Sequence, residues 1–556
     1  MFSFHIRFFR LHLFLSHGIY FSEHTDKRST KDFLMHKTME TDVLVIGGGV
    51  TGTGIARDLS LRGVQCILID KSDLNAGASG GNHGLLHSGA RYVGSDPEAA
   101  VECKNELGIL KNNAGHCIED TGGLFIAVKG DDEKYIADFP GMCKKSGVYC
   151  KKIDPALARD MEPVLSKDII AAYQVNDASI NPFKISIENM NDAVLRGSQF
   201  LSFCKLIEFK MINHSIEYAG IINENNGETF QIKARTYVNA SGAWAGMIAA
   251  MAGITINMVL SKGTLLVTSK RMTKRVINRL RKPTDGDIIV PGGVVSIIGT
   301  TSIRVDSPDH IYPTINEVDQ IIDEGGRIIP DLKTCRYIRA YSGARPLVSE
   351  GKIGDDRSVS RGFTLRDHKM DGADNFITIT GGKLSTYRLM SEKASDLVCW
   401  KHSIFSKCLT KEIPLPSTKS GEWSEPGMMA TEPGMSKNFN DPILCECEMV
   451  PQSAIDTIVS SIKQAGGKPN LTSLALRSRI GKGPCQGAFC SLRIFSHLYD
   501  SNVLKDHSDI TNLKGFLNER WKGEKSLLWG QALAQSSLKE MIHSGLFGLE
   551  LIENKN

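Results

Sequence analysis

Four of the thirteen cysteines stand apart by their spacing. Cys445-Glu446-Cys447 is a C-x-C pair, and Cys485-Gln486-Gly487-Ala488-Phe489-Cys490 is a C-x4-C pair thirty-seven residues further on. Four thiolates are what a [2Fe–2S] cluster or a tetrahedral zinc requires. The C-x-C step is tighter than the usual zinc spacing, and Gly483 and Gly487 leave backbone N–H groups free to face cluster sulfurs. The pattern therefore favours a cluster over zinc, and both over a redox disulfide pair. The other nine cysteines are scattered, which argues for a reducing compartment rather than a disulfide framework.

A second chemical signal lies near the start of the fold. Asp42-Val-Leu-Val-Ile46 reads as a short buried parallel strand, and Gly47-Gly48-Gly49-Val50-Thr51-Gly52 fits G-x-G-x-x-G. Helical spacing over 53–62, a strand at 66–69 and a closing acid, Asp70, complete the unit. Gly47 permits the tight turn, Gly49 lets the backbone approach a pyrophosphate, and Gly52 lets helix and strand pack closely. The helix N-terminus favours an anion, and Asp70 is placed to accept from a ribose diol. This predicts a dinucleotide site without separating FAD from NAD.

Three further stretches must position that dinucleotide. The Gly- and Ser-rich run 76–92, with Ser79 and Asn82, can lie along a bound cofactor. Two later segments, 238–246 with Gly242 and 378–388 with Gly381 and Gly382, each run from a strand through a glycine turn into a helix. Glycine turns this far apart predict one discontinuous cofactor domain with a substrate domain inserted between its parts. A Pro- and Gly-rich stretch at 401–440 reads as a linker.

Size and charge bound the rest. The chain has 556 residues and a formal net charge of +4, which calls for neither a nucleic-acid nor a membrane partner. Residues 1–38 are apolar and aromatic at their start and carry Arg7 and Arg10. They read as an upstream extension, with the functional start near Met35 or Met39, or as a targeting segment. No later run of about 18 apolar residues predicts a spanning helix.

Several of these motifs together resemble the A subunit of the anaerobic glycerol-3-phosphate dehydrogenase family. They are the 76–92 loop, Tyr341-Ser-Gly-Ala-Arg-Pro-Leu347, the 378–388 turn and Phe516-Leu-Asn-Glu-Arg-Trp-Lys-Gly523. The resemblance runs from about Thr41 to the C-terminus, with Asp177-Ala-Ser-Ile-Asn-Pro-Phe183 standing where the family has Asp-Gly-Thr-Val-Asp-Pro-Phe. It implies non-covalent FAD, oxidation of sn-glycerol 3-phosphate to dihydroxyacetone phosphate, and a [2Fe–2S] domain like that of bacterioferritin-associated ferredoxin. It also implies a flavin-containing B subunit, together with an iron–sulfur C subunit reaching a membrane quinone pool. The chain itself would then be cytoplasmic, at the inner face of the membrane through those partners.

By the same resemblance Arg345 and Arg361 hold the substrate phosphate, with Arg91 and Lys383 in the same pocket. A guanidinium fork suits a phosphate dianion. Oxidation at carbon 2 needs a base for the hydroxyl proton, and His83 and His87 lie in the cofactor loop, His87 being preferred. The expected architecture is α/β: an FAD domain over 39–400 with a Rossmann-like sheet and an inserted α+β substrate domain. A small four-cysteine iron–sulfur module over 441–500 and a helical tail over 501–556 follow. The competing readings are a related FAD dehydrogenase or oxidase of an amine or a 2-hydroxy acid, and a non-enzymatic electron-transfer module.

Overall fold

The computed structural model describes residues 37–348, 362–418, 440–505 and 509–551. The expected extension up to residue 36 and the linker over 419–439 lie outside the described residues. The strand Thr38–Ile46 lies in the middle of an eight-stranded sheet. It runs parallel to Cys66–Ile69 on one side and to Thr229–Asn239 on the other. Gln199–Leu201 and Phe376–Gly381 extend the parallel part outward, and further antiparallel strands join the sheet beyond Thr229–Asn239 and Phe376–Gly381. Apolar residues run continuously here because both faces are covered. Val43, Val45 and Leu68 pack under Ile55 and Leu59 of the helix Val50–Leu61, while Leu44 and Ile67 pack on the opposite face. Each such side chain contributes about 1.5–3 kcal/mol on burial.

The helix begins at Val50, earlier than its apolar spacing indicates, so Gly52 falls in its first turn. The three glycines before it complete the turn, and the Val50 N–H is already satisfied by Ser79 Oγ at 2.9 Å.

Three separate chain segments build this sheet, as the spaced glycine turns predict. The intervening segments form a nine-stranded sheet. In it Met258–Thr268 and Tyr337–Val348 pair antiparallel over their lengths, placing Ser261 opposite Arg345 and Gly263 opposite Gly343. The helix Ile315–Ile328 covers the outer face with Val318, Ile321 and Ile328, and Thr314 and Glu317 cap its start reciprocally. The architecture is the expected Rossmann-like α/β unit with an inserted sheet-and-helix unit.

Residues up to 418 remain on the cofactor unit: Arg57 donates to Ile413 O at 2.7 Å and the Leu415 N–H to Asn113 O at 2.8 Å. From residue 440 a helical unit follows. The amphipathic helices Gln452–Gln464 and Cys490–Asp500 leave apolar faces that the tail helix Asp509–Lys525 covers. Phe516, Leu517 and Trp521 therefore share one core with Ile455, Leu474 and Ile494, joining what the sequence divides into module and tail. This unit sits on the cofactor sheet through a buried Arg477–Asp73 ion pair at 2.6 Å, and Gly523 lies against the Ala340 carbonyl. Among the described residues no helix is long and apolar enough to cross a membrane.

Candidate active site

The two large sheets enclose a cavity of 860 Å³. Its walls include Gly47, Gly49, Asp70, Ser79, Asn82, Gly242, Gly381 and Gly382 from the cofactor sheet, and His83, His87, Arg91, Arg345 and Lys383. Gly52 is not in the wall. A Cβ there would stand 1.9 Å from the Gly47 carbonyl, so its role is to let the helix approach the turn. Arg361 lies outside the described residues.

The dinucleotide end is built by the glycine turn. Gly47 has φ +118°, and the Gly48 N–H donates to Asp70 Oδ2 at 2.6 Å. Asp70 Oδ1 accepts from the Ser72 N–H at 2.7 Å, so the backbone fixes the carboxylate at the cavity wall. Burial raises its pKa, opposed by these two hydrogen bonds. Ser79 ties the following loop to the helix start, and Asn82 Nδ2 bonds back to Ser79 O at 2.7 Å. The loop lies against the second sheet, where Gly81 and Gly343 are in backbone contact. A cavity of this size, with glycine backbone on one wall and an anion-favouring helix start, fits FAD.

The opposite end is cationic. Arg345 Nη1 donates to Thr301 O at 3.1 Å, Nη2 bonds Thr300 Oγ1, and the guanidinium lies against Gly263. Arg91 Nη2 bonds Asp287 Oδ2 at 3.1 Å, while its Nη1 is buried with no hydrogen-bond partner. Asp287 is fully buried and is held in turn by Arg281 at 2.9 Å and the Thr284 N–H at 2.6 Å. Lys383 Nζ stands 5.1 Å from the centre of the Tyr92 ring.

The histidines lie between the two ends. His83 Nδ1 accepts the Leu85 N–H at 3.2 Å, which leaves the ring proton on Nε2 and makes that atom a donor. Burial first, then Arg345 and Arg91, push His83 down to about 3. His87 is well below its ordinary value through burial first, then His83, Arg91 and Lys383. Its Nε2 is 3.3 Å from the Tyr92 hydroxyl, and its backbone N–H donates to Ser385 Oγ at 3.0 Å. Asp287 and Gly263 carry no chemical signal in the sequence, while Tyr92 and Ser385 lie inside the 76–92 and 378–388 stretches without being singled out there.

The Asp177–Phe183 stretch holds the loop rather than lining the cavity. Asp177 accepts from the Ser88 N–H at 2.7 Å, and Asn181 caps the helix Pro182–Leu195 through the Phe183 and Lys184 N–H groups at 3.1 Å. An amide caps a helix as a carboxylate would.

The four clustered cysteines meet in the C-terminal unit. Cys490 is within hydrogen-bonding reach of Cys445 and Cys485, and Cys485 of Cys447. Contact with Cys490, then N–H groups of Glu448 toward Cys445 and of Phe489 and Gly487 toward Cys485, hold both thiols below the ordinary range. Among the described residues no three His, Cys, Asp or Glu side chains converge on a metal-sized point.

The FAD dependent oxidoreductase family model matches residues 42–386. The A subunit of anaerobic glycerol-3-phosphate dehydrogenase from Haemophilus influenzae is 40% identical over 533 residues, covering 92% of this chain and 94% of that one. Its counterpart in Escherichia coli K12 is also 40% identical, over 92% of this chain and 98% of its own. The A1 subunit of the Haloferax volcanii enzyme is 36% identical over 90% of each. Among solved structures, a glycerol-3-phosphate dehydrogenase from Bacillus halodurans complexed with FAD shares the fold with a TM-score of 0.61. It covers 88% of this chain and 96% of its own at 18% identity. The chain thus belongs to the FAD-dependent oxidoreductases and, within them, to the anaerobic glycerol-3-phosphate dehydrogenase A-subunit family.

Proposed function

We propose that the chain oxidises sn-glycerol 3-phosphate to dihydroxyacetone phosphate with FAD, and delivers the electrons through a [2Fe–2S] cluster to partner subunits and a quinone. The observation that carries the substrate is the shared cavity in which a dinucleotide wall faces Arg345, Arg91 and Lys383. Bound FAD supplies the hydride acceptor. Gly47, Gly49, Asp70, Ser79, Asn82, Gly242, Gly381 and Gly382 would hold it.

The rest is done by the chain. Arg345 presents its fork from a rigid strand, and Arg91 offers the unpartnered Nη1 donor, so both suit a phosphate dianion. Lys383 adds positive charge beside Tyr92. His87 Nε2 receives the proton of the secondary hydroxyl. His83, a donor at Nε2, orients the substrate oxygen instead. Burial and neighbouring cations hold His87 low. A bound dianion offsets the cations and brings the imidazole toward the range of an effective base.

Cys445, Cys447, Cys485 and Cys490 would hold the cluster. Four adjacent thiols facing backbone N–H groups suit thiolate ligation of iron. Relatives are named as subunits, which supports partners. We infer a flavin-containing B subunit, together with an iron–sulfur C subunit that brings this chain to the cytoplasmic face of the membrane.

Initial rates with an artificial electron acceptor test the substrate. sn-Glycerol 3-phosphate is expected to support turnover, while glycerol, sarcosine and lactate are not. Equal turnover of the amine or the 2-hydroxy acid would overturn the phosphate assignment.

A further inference from the structure

Arg91 reaches the cavity from a single helical turn, Ala90–Tyr92, on the cofactor loop. Gly89 seats that turn. Its φ is +97°, and a Cβ there would stand 2.2 Å from the Ala100 carbonyl. The guanidinium is anchored on the other unit. Its Nη2 donates to Asp287 Oδ2 at 3.1 Å, and Asp287 stands just before the strand Ile288–Gly292 of the nine-stranded sheet. Asp287 lies behind the cavity wall: it is fully buried, while Thr284 and Ile288 on either side of it line the cavity.

Both carboxylate oxygens are engaged. Oδ2 also accepts the Thr284 N–H at 2.6 Å, and Oδ1 accepts from Arg281 Nε at 2.9 Å. Arg281 Nη2 in turn donates to Glu324 Oε2 at 2.9 Å, on the helix Ile315–Ile328. Glu324 also accepts from Arg279 Nη1, and Arg279 Nη2 donates to Asp131 Oδ1 at 2.7 Å. Arg91, Asp287, Arg281, Glu324, Arg279 and Asp131 thus alternate in sign from the cavity into the core. Buried charges are costly unless paired and hydrogen-bonded, and the alternation meets both conditions. The same helix pins the intervening turn: Gln320 Nε2 donates to Asp285 Oδ2 at 3.0 Å, and a Cβ on Gly286 would stand 2.8 Å from Glu324 Cβ.

Asp287 is therefore fixed from behind, and it fixes the Arg91 guanidinium by one nitrogen. The other, Nη1, is buried without a hydrogen-bond partner at the cavity wall. Because Arg281 competes for the same carboxylate, Asp287 orients Arg91 without cancelling its charge. We propose that Asp287 is a positioning residue for the substrate phosphate, acting through Arg91, whose Nη2 it holds so that Nη1 is left to the phosphate. The inference rests on reading Arg91 as a phosphate ligand.

The test is steady-state kinetics of the FAD-loaded full chain with sn-glycerol 3-phosphate and an artificial acceptor, with inorganic phosphate as competitive inhibitor. A charged hydrogen bond to a ligand is worth about tenfold in affinity or more. Asp287→Ala is expected to raise KM and the inhibition constant of phosphate together, about tenfold each, with kcat within about twofold of the parent. Asp287→Asn keeps the shape and one acceptor oxygen, and should lie between that variant and the parent. Arg91→Met should raise both constants at least as far, and adding Asp287→Ala to it should raise neither further. Parent-like constants in both Asp287 variants would overturn the proposal. So would a further rise in the Arg91→Met background, which would mean that Asp287 acts by another route. Loss of FAD or of the fold in both Asp287 variants would make the residue structural and overturn it as well. Parent constants in Arg91→Met would instead overturn the reading of Arg91 beneath it, and a parent without turnover would overturn the proposed reaction.

Discussion

Gly263→Ala is the sharpest perturbation of the phosphate end. The residue sits opposite Gly343 on paired strands, and the Arg345 guanidinium lies across it. A methyl there would stand 2.3 Å from Nη2 and 2.7 Å from Cζ. Ordinary contact needs about 1 Å more, so the guanidinium must retreat from Thr300 and Thr301. The colliding group is the mobile end of a side chain and the backbone is not in the left-handed region, so stability should change by less than about 1 kcal/mol. A misplacement of about 1 Å at a positioning group costs about 100-fold. The expected result is a kcat/KM for glycerol 3-phosphate lowered about 100-fold, mostly through KM, with FAD content and Tm retained. Arg345→Ala should do at least as much, and adding Gly263→Ala to it should do nothing more. A parent-like KM, or additive losses, would refute the placement of phosphate on Arg345.

Other consequences follow from the same geometry. Gly52→Ala places a Cβ 1.9 Å from the Gly47 carbonyl, so the purified variant should carry little FAD, as its flavin absorbance would show; full occupancy would contradict the close approach. Burial, and then Arg345 and Arg91, depress His83 from 6.5 to about 3, so the unfolded chain binds a proton that the folded one refuses. Stability is therefore lost as pH falls from about 6.5 toward 3, and Tm of His83→Asn should fall less steeply over that window; parallel curves would refute it. Cys445→Ser should abolish the cluster's EPR signal yet retain dye-linked activity, because among the described residues the cavity takes no wall from the C-terminal unit. Loss of flavin as well would mean that unit is structural for the cofactor sheet.

What the sequence makes legible is local. The turn at Gly47–Gly52, the acid at Asp70 and the buried strands around them are set by neighbours within about thirty residues, where backbone sterics and strand periodicity leave a readable pattern. The pocket is different in kind. Asp287 fixes Arg91 across 196 positions, and Gly263 seats Arg345 only because two strands pair in one register. No periodicity encodes either contact. The C-terminal unit shows the same limit: Phe516 and Arg520 shape the cysteine loop from a helix that composition alone separates from it.

The most direct measurement is anaerobic mixing of the purified full chain with sn-glycerol 3-phosphate, without acceptor, while the flavin band is recorded. Bleaching of that band by this substrate, and not by glycerol, is the expected result. A band that dithionite bleaches but excess glycerol 3-phosphate leaves unchanged would contradict the proposed reaction.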